Sequence, residues 1–372
     1  MKEQKIDEFK DIRPYRDDEV PAALEELFKN WMFRPIFWFA IKSMQSDSGL
    51  SGIINTNKSV KEMKSARTID EFQSALAGPV NGLINRKTEG LFYSGLDNVS
   101  KEKNYLFISN HRDIVMDSML MNYILKTNGF RTSASAIGDN LVKISEVNCL
   151  MRLNKSFIVK RGLKKFSEVK NALMKQSLFI SDYLQNYGSI WIAQAEGRAK
   201  DGNDRTEESV IKMLGLAKKR AGKSLEETLN EMHILPVSIS YEYDPLDVNK
   251  SAELFHKKNN GKYEKSRFED FRSMKSGIFG YNGKVHVTFG KEITGFASWQ
   301  NLAVEIDRQI ISNYHLWHSN YFALRLLENS GALPQGDNEE KFFERYKKVS
   351  AHLKPFFLGM YANPVVNKDK YI

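Results

Sequence analysis

This chain of 372 residues lacks many of the features that place a protein at a glance. It has a single cysteine, Cys149. One thiol cannot build a disulfide framework or a cysteine zinc site within one copy, which points to a reducing compartment. No apolar run reaches roughly 18 residues, so no clear transmembrane helix is expected. The opening stretch MKEQKIDEFKDIRPYRDDE is charged throughout and holds no apolar signal core. There is no phosphate-binding glycine loop, no G-x-S-x-G elbow, no dinucleotide fingerprint and no internal repeat. The 15 tyrosines and 23 phenylalanines are scattered without the basic interleaving of a nucleic-acid-binding sheet, so nucleic acid is not expected as a partner. His315 and His318 stand three apart but lack a convincing third ligand, and no metal site is expected.

What is present describes a globular protein. Hydrophobic residues make up 41% and charged residues 27%, enough for one large core, or one core with helical additions. Lys+Arg 55 against Asp+Glu 46 leaves a net charge of +9. Such a balance favours anionic partners, whether anionic lipid or phosphorylated substrates, or reflects no more than a solvated basic surface.

The chain reads in three parts. Residues 1–85 read as helical, with Pro21 placed where a helix can begin. Leu24, Leu27, Phe28, Trp31, Met32, Pro35, Ile36 and Phe39 then recur at spacings of three and four. From Trp31 to Ile41 the opposite side is apolar too, through Phe33, Phe37, Trp38 and Ile41, and Arg34 and Lys42 bracket it. A short, tryptophan-bearing stretch with basic flanks suits a membrane-surface anchor, or a helix packed on the main domain. Ser46–Ser59 reads as a polar loop or linker. Residues 86–295 alternate strand and helix signals. Strands are expected at 105–109, 157–160, 190–193, 234–241 and 285–289, and helices at 166–187 and 208–220. This implies an α/β layered fold with a mainly parallel sheet flanked by helices. Pro236 belongs at an edge or at a first strand position. Asn282-Gly283 marks a tight turn into the last of these strands. Residues 296–372 read as helical again, with PFFLGMY at 355–361 either a second interfacial patch or a packed terminus.

Two stretches carry chemistry. FISNHRDIVMDS at 107–118 sets His111 just past an apolar strand, with Asp113 two residues on and Asp117 six on. A histidine there takes a proton at neutral pH if a carboxylate holds its ring. If a helix starts just after it, Asp117 returns toward it about one turn later, while Asp113 can cap that helix instead. WIAQAEGR ends a second apolar run in Glu196-Gly197-Arg198. The glycine allows close backbone approach to a ligand, and the arginine offers a bidentate fork to phosphate. FIVKRG at 157–162 ends a third in Lys160-Arg161, two cations suited to a phosphate or to a solvated helix start. The triplet His111-Arg112-Asp113 also resembles the protein-kinase catalytic loop. Ser118 stands where that pattern needs asparagine, and no DFG follows.

Order and spacing together resemble the glycerolipid acyltransferases, the family of glycerol-3-phosphate and 1-acylglycerol-3-phosphate acyltransferases. The four blocks of that family correspond to NHRDIVMD, FIVKR, AEGR and ILPVSISYE, over roughly residues 90–295. The resemblance implies a bacterial-type enzyme of phospholipid synthesis, peripheral to the cytoplasmic face of a membrane. The donor would be an acyl thioester, acyl-CoA or acyl-carrier protein, with no further cofactor. The acceptor would be a glycerol phosphate or lysophospholipid, and the surface anionic lipid. His111 would be the general base and Asp117 the acid that orients it, with Asp113 in reserve. Glu196, Gly197 and Arg198 would shape the acceptor site, Arg198 and Arg161 gripping phosphate. Two departures stand out. The family's acid falls at the position of Met116, one residue before Asp117. Ala195 replaces a usual proline, and no small residue separates Gly197 from Arg198.

Overall fold

A computed structural model describes residues 7–45, 49–217, 222–263, 269–329 and 333–371. In chain order the helices are α1 (Val20–Lys29), α2 (Phe33–Met44), α3 (Gly49–Ser65), α4 (Ile69–Lys87), α5 (Met116–Thr127), α6 (Ser145–Leu153), α7 (Phe166–Asn186) and α8 (Glu208–Leu214). They continue with α9 (Leu225–Asn230), α10 (Asp247–Asn260), α11 (Glu269–Phe279), α12 (Trp299–Ser312), α13 (His318–Leu327), α14 (Asp337–Lys347) and α15 (Lys354–Lys368). The strands are β1 (Thr88–Ser94), β2 (Leu106–Ser109), β3 (Ala134–Gly138), β4 (Ser156–Val159), β5 (Ile190–Ala193), β6 (Ile234–Tyr241) and β7 (Gly283–Phe289). The fold is α/β, with a seven-stranded, mostly parallel sheet, as expected. Helices precede and follow it in the chain. β1 and β3 had no reading in the sequence; β3, ASAIG, is short and carries little apolar bulk.

The chain divides into two compact units: residues 1–86, 125–191 and 213–228 in one, and 87–124, 192–212 and 229–372 in the other. In the first unit β3 pairs in parallel with β4 and with the start of β5. Its N-terminal helices share a core built on Leu24, Leu27, Phe37, Met63, Phe72 and Leu153. α1 starts with Pro21 in its first turn, where the missing N–H has no helical partner to lose. The periodic run does not continue as one helix. Asn30 breaks it: its Oδ1 accepts from the N–H of Met32 at 3.1 Å and Phe33 at 3.4 Å, restarting the chain as α2. The expected loop at 46–59 is also corrected, since α3 covers 49–65 and only 46–48 lie outside the described residues. Among the described side chains of α3 the buried positions are Gly52, Thr56, Val60 and Met63. That stripe has helical spacing, but its first two members are too small or polar to register as apolar periodicity.

In the second unit the strands run in the order β1-β7-β6-β2. β7 is parallel to β1 and antiparallel to β6, and β2 is parallel to β6. Every residue of β6 is buried, as a strand covered on both faces requires. β7 alternates buried and half-buried positions. Pro236 is therefore not at an edge, and it is the third residue of its strand. It is tolerated because the β7 ladder begins one residue later, at Val237 opposite Phe289. Its carbonyl accepts from Gly290 N–H just past β7, so the missing donor points at the ladder's end. The expected helix at 208–220 stops at Leu214, becomes a 3-10 turn at 215–217, and beyond that lies outside the described residues. The PFFLGMY segment lies in α15 and is packed: Phe357, Leu358, Met360 and Tyr361 join Phe322 and Phe342 in a core.

Candidate active site

The site grows from the end of β2. Pairing with β6 runs to Ser109, and the next residue replaces the ladder with its own amide. Asn110 Nδ2 donates to Ile239 O at 2.9 Å, and its Oδ1 accepts from Ile239 N–H at 2.8 Å. This buried two-way bond turns the chain off the sheet and presents His111. Three residues later Asp113 caps α5, its Oδ1 accepting from the N–H of Val115 and Met116, each at 2.9 Å. The cap places Asp117 in the first turn.

Asp117 is fully buried and meets His111. Its Oδ2 lies 2.8 Å from His111 Nδ1 and accepts from the N–H of Arg112 at 2.7 Å and Asp113 at 3.0 Å. Its Oδ1 accepts from the Tyr241 hydroxyl at 2.6 Å. Burial pushes this carboxyl up, but the hydrogen bond and charge of His111, with the tyrosine and backbone donors, hold it below the usual carboxylate range. Asp113 moves the other way, raised by burial and by the neighbouring charge of Asp117. The two acids have thus divided their tasks: Asp117 faces the imidazole and Asp113 starts the helix. His111 keeps about 15% of its side chain exposed.

The loop after β5 closes against this turn. Ala199 N–H donates to the His111 carbonyl at 2.7 Å, and Gln194 N–H to Ser109 O at 2.8 Å. Gly197 adopts φ +83°, a left-handed conformation that favours glycine, with open space where a side chain would stand. Glu196 is exposed, its N–H on Glu207 Oε2. Arg198 is half-buried, and its charge bears on Asp113. Six polar atoms of these two loops are buried with no hydrogen-bond partner: Arg112 Nε, Asp113 Oδ2, Gln194 Oε1, Arg198 Nη1, Asp204 Oδ1 and Thr206 Oγ1. Buried polar atoms are nearly always paired, so such a cluster suits a polar ligand.

Beneath the histidine turn lies a buried charge network that the sequence reading missed. Arg112 pairs with Asp204 at 2.6 Å, both side chains 5% exposed or less. Lys250 Nζ donates to the Arg112 carbonyl at 2.8 Å and to Asp244. Asp204 and Lys250 sit in ordinary polar stretches, DGNDR and DVNKS, and only a strand-end Asn before a histidine hinted at Asn110. Arg161 belongs to the other unit. It follows β4, is exposed, and donates its backbone N–H to Asp139 at 3.2 Å. The first, third and fourth sequence blocks therefore meet in one unit, through His111, Ala199, Ile239 and Tyr241.

The Acyltransferase family model matches residues 90–240 of this chain. Those residues belong to the acyltransferase family. The matched stretch runs from within β1 to Ser240, one residue short of the end of β6, and contains His111, Asp117 and Arg198. The chain is also similar to the crystal structure of the 1-acyl-sn-glycerophosphate (LPA) acyltransferase PlsC from Thermotoga maritima. The identity is 16%, with 85% of this chain and 97% of that chain covered and a TM-score of 0.37, too low to bear on the site. No curated protein matches the chain.

Proposed function

We propose that this acyltransferase moves a fatty acyl group from an acyl thioester to a hydroxyl of a glycerol-phosphate acceptor, glycerol 3-phosphate or lysophosphatidate. The observation that carries the reading is the His111–Asp117 pair, 2.8 Å apart, with Arg198 arriving on a loop hydrogen-bonded to the same turn. Asp117 bonds Nδ1, which leaves proton transfer to Nε2. In the step, Nε2 takes the acceptor's hydroxyl proton as its oxygen attacks the thioester carbonyl. The C–S bond breaks, and the departing thiolate receives that proton from the imidazolium. No acyl-enzyme is needed, because binding both substrates side by side supplies the proximity. Arg198, with a buried and unpartnered Nη1, offers the acceptor's phosphate a charge-assisted bond. Glu196 and Gly197 shape the turn around it. In this reading 86–295 is the catalytic segment and 1–85 and 296–372 are helical additions.

Donor and site imply a membrane nearby, and we place the enzyme on an anionic surface. Trp31, Ile36 and Phe39 are 74%, 65% and 65% exposed, beside exposed Met32, Ile53 and Ile54. Phe37 and Ile41 on the other side of α2 are buried. No helix among the described residues is long and apolar enough to cross a membrane. The test is thiol release from acyl-CoA with glycerol 3-phosphate or lysophosphatidate, wild type against His111→Ala. Loss of release in the variant is expected. Transfer that persists in His111→Ala, or no transfer by wild type to either acceptor, rejects the proposal. The alanine at Ala195 and the shortened turn favour one second reading, an amphiphilic acceptor without phosphate. Under it Arg198→Ala leaves acceptor KM unchanged, whereas the first reading expects KM to rise.

A further inference from the structure

Tyr241 closes β6, in the block where the sequence drew attention only to a proline. Its ring is buried, and its hydroxyl reaches across 124 residues of sequence to Asp117 Oδ1 at 2.6 Å. The other donors to Asp117, His111 Nδ1 and the backbone N–H of Arg112 and Asp113, all converge on Oδ2. Those three come from the turn just before α5 and would follow the helix if it shifted. The tyrosine comes from the sheet and does not follow it. A carboxylate gripped at one oxygen still swings about its Cβ–Cγ bond; gripped at both, it keeps one plane.

We propose that Tyr241 is a positioning residue for the acyl transfer, holding the Asp117 carboxylate in the plane that lets Oδ2 orient His111 across their six-residue separation. The inference rests on the proposed role of His111 as base. The extra residue between histidine and acid lengthens the turn, and a sheet-borne anchor for the acid offsets that slack. Burial and the neighbouring Asp117 push the phenol well above its ordinary pKa, so it stays a neutral donor. The charges bearing on the pair include Asp113 and Asp244, which act on the phenol, and Arg198, which acts on Asp113. Gly277 of α11 packs against Asp113, too close for a side chain.

The test compares wild type with Tyr241→Phe and with 3-fluorotyrosine placed at 241, each checked for folding by circular dichroism. Phenylalanine removes the donor; fluorotyrosine strengthens it. Losing the donor makes the Asp117 carboxylate more basic and stabilises the imidazolium, so the His111 titration followed by carbon NMR moves up, by about half a pH unit. Fluorotyrosine moves it down. In thiol release, Tyr241→Phe lowers kcat about tenfold with KM for both substrates within about twofold. If neither replacement moves the His111 titration, or both move it the same way, the proposal is overturned. If Tyr241→Phe does not fold, the fluorotyrosine shift alone decides it. A wild type inactive toward every acceptor defeats the functional reading instead, while the NMR titration still rules on Tyr241.

Discussion

Asp117 shows how one side chain gathers a site. It is buried in the first turn of α5, yet remains ionised because four donors reach its two oxygens. His111→Ala is expected to cost about 10²–10⁴-fold in kcat, the usual worth of a general base. Asp117→Asn keeps the shape but not the charge, and should lose most of the same factor; steady-state thiol release checks both. The Arg112–Asp204 pair makes a separate claim. Removing one partner strands a buried charge, so Arg112→Leu or Asp204→Leu should each cost about 3–5 kcal/mol of stability, and the double variant clearly less than their sum. Urea unfolding of the three variants settles this; additive losses would mean the pair is not coupled. Of these residues, His111 and Asp117 were legible in the chain because local spacing on a strand-turn-helix is a short-range property. Asp204, Lys250 and Tyr241 were not, because their partners are 92, 138 and 124 positions away.

α15 illustrates what an element does beyond its own core. Asn363 Nδ2 donates to Asp201 O at 2.6 Å and Asn367 Nδ2 to Asn203 Oδ1 at 2.8 Å. Between them Gly202, at φ +80°, lies so close that a Cβ would stand 2.4 Å from Met360 O. The loop that follows Arg198 is thus fastened by a helix outside the family-matched residues. Gly202→Ala should destabilise by more than the ~1–2 kcal/mol of a left-handed alanine, because backbone must also move. Gly197→Ala meets nothing within 4 Å and should cost only the conformational part. Equal losses in urea unfolding would refute the contrast. α2 carries a different expectation. The exposed ridge formed by Trp31 just before it and by its Ile36 and Phe39 contributes little to the fold, so Trp31→Ser with Phe39→Ser should abolish binding to anionic vesicles while Tm stays within a few degrees. Retained binding would remove α2 from the surface reading.

At the scale of the molecule, charge sets the response to salt and pH. A net charge of +9 should make vesicle binding fall steeply as ionic strength rises. Two groups report on stability at opposite ends of the pH range. Glu19, bonded to Arg13, is held down to about 2. Its contribution is present above the unfolded value and is lost as pH falls from about 4.5 to about 2. Lys155 is pushed down to about 8 by burial and by Arg131, so the unfolded chain binds its proton more readily. Stability therefore rises with pH from about 8 to about 10.5, and Lys155→Met should flatten that rise. Thermal melts across these windows check both slopes.

The chain by itself determined its class and the places of its candidate chemistry. Apolar strands alternating with helices specify an α/β protein, and the NHRDIVMD and AEGR stretches sit where strands end, because periodicity, turn chemistry and short spacing are local. Tertiary structure decided the rest. It chose Asp117 over Asp113 for the imidazole, stopped the first helix at Asn30, turned a polar stretch into α3, and set Pro236 inside the sheet rather than at its rim. Each of those outcomes depends on which distant backbone or hydroxyl arrives as partner, and no window along the sequence contains that information.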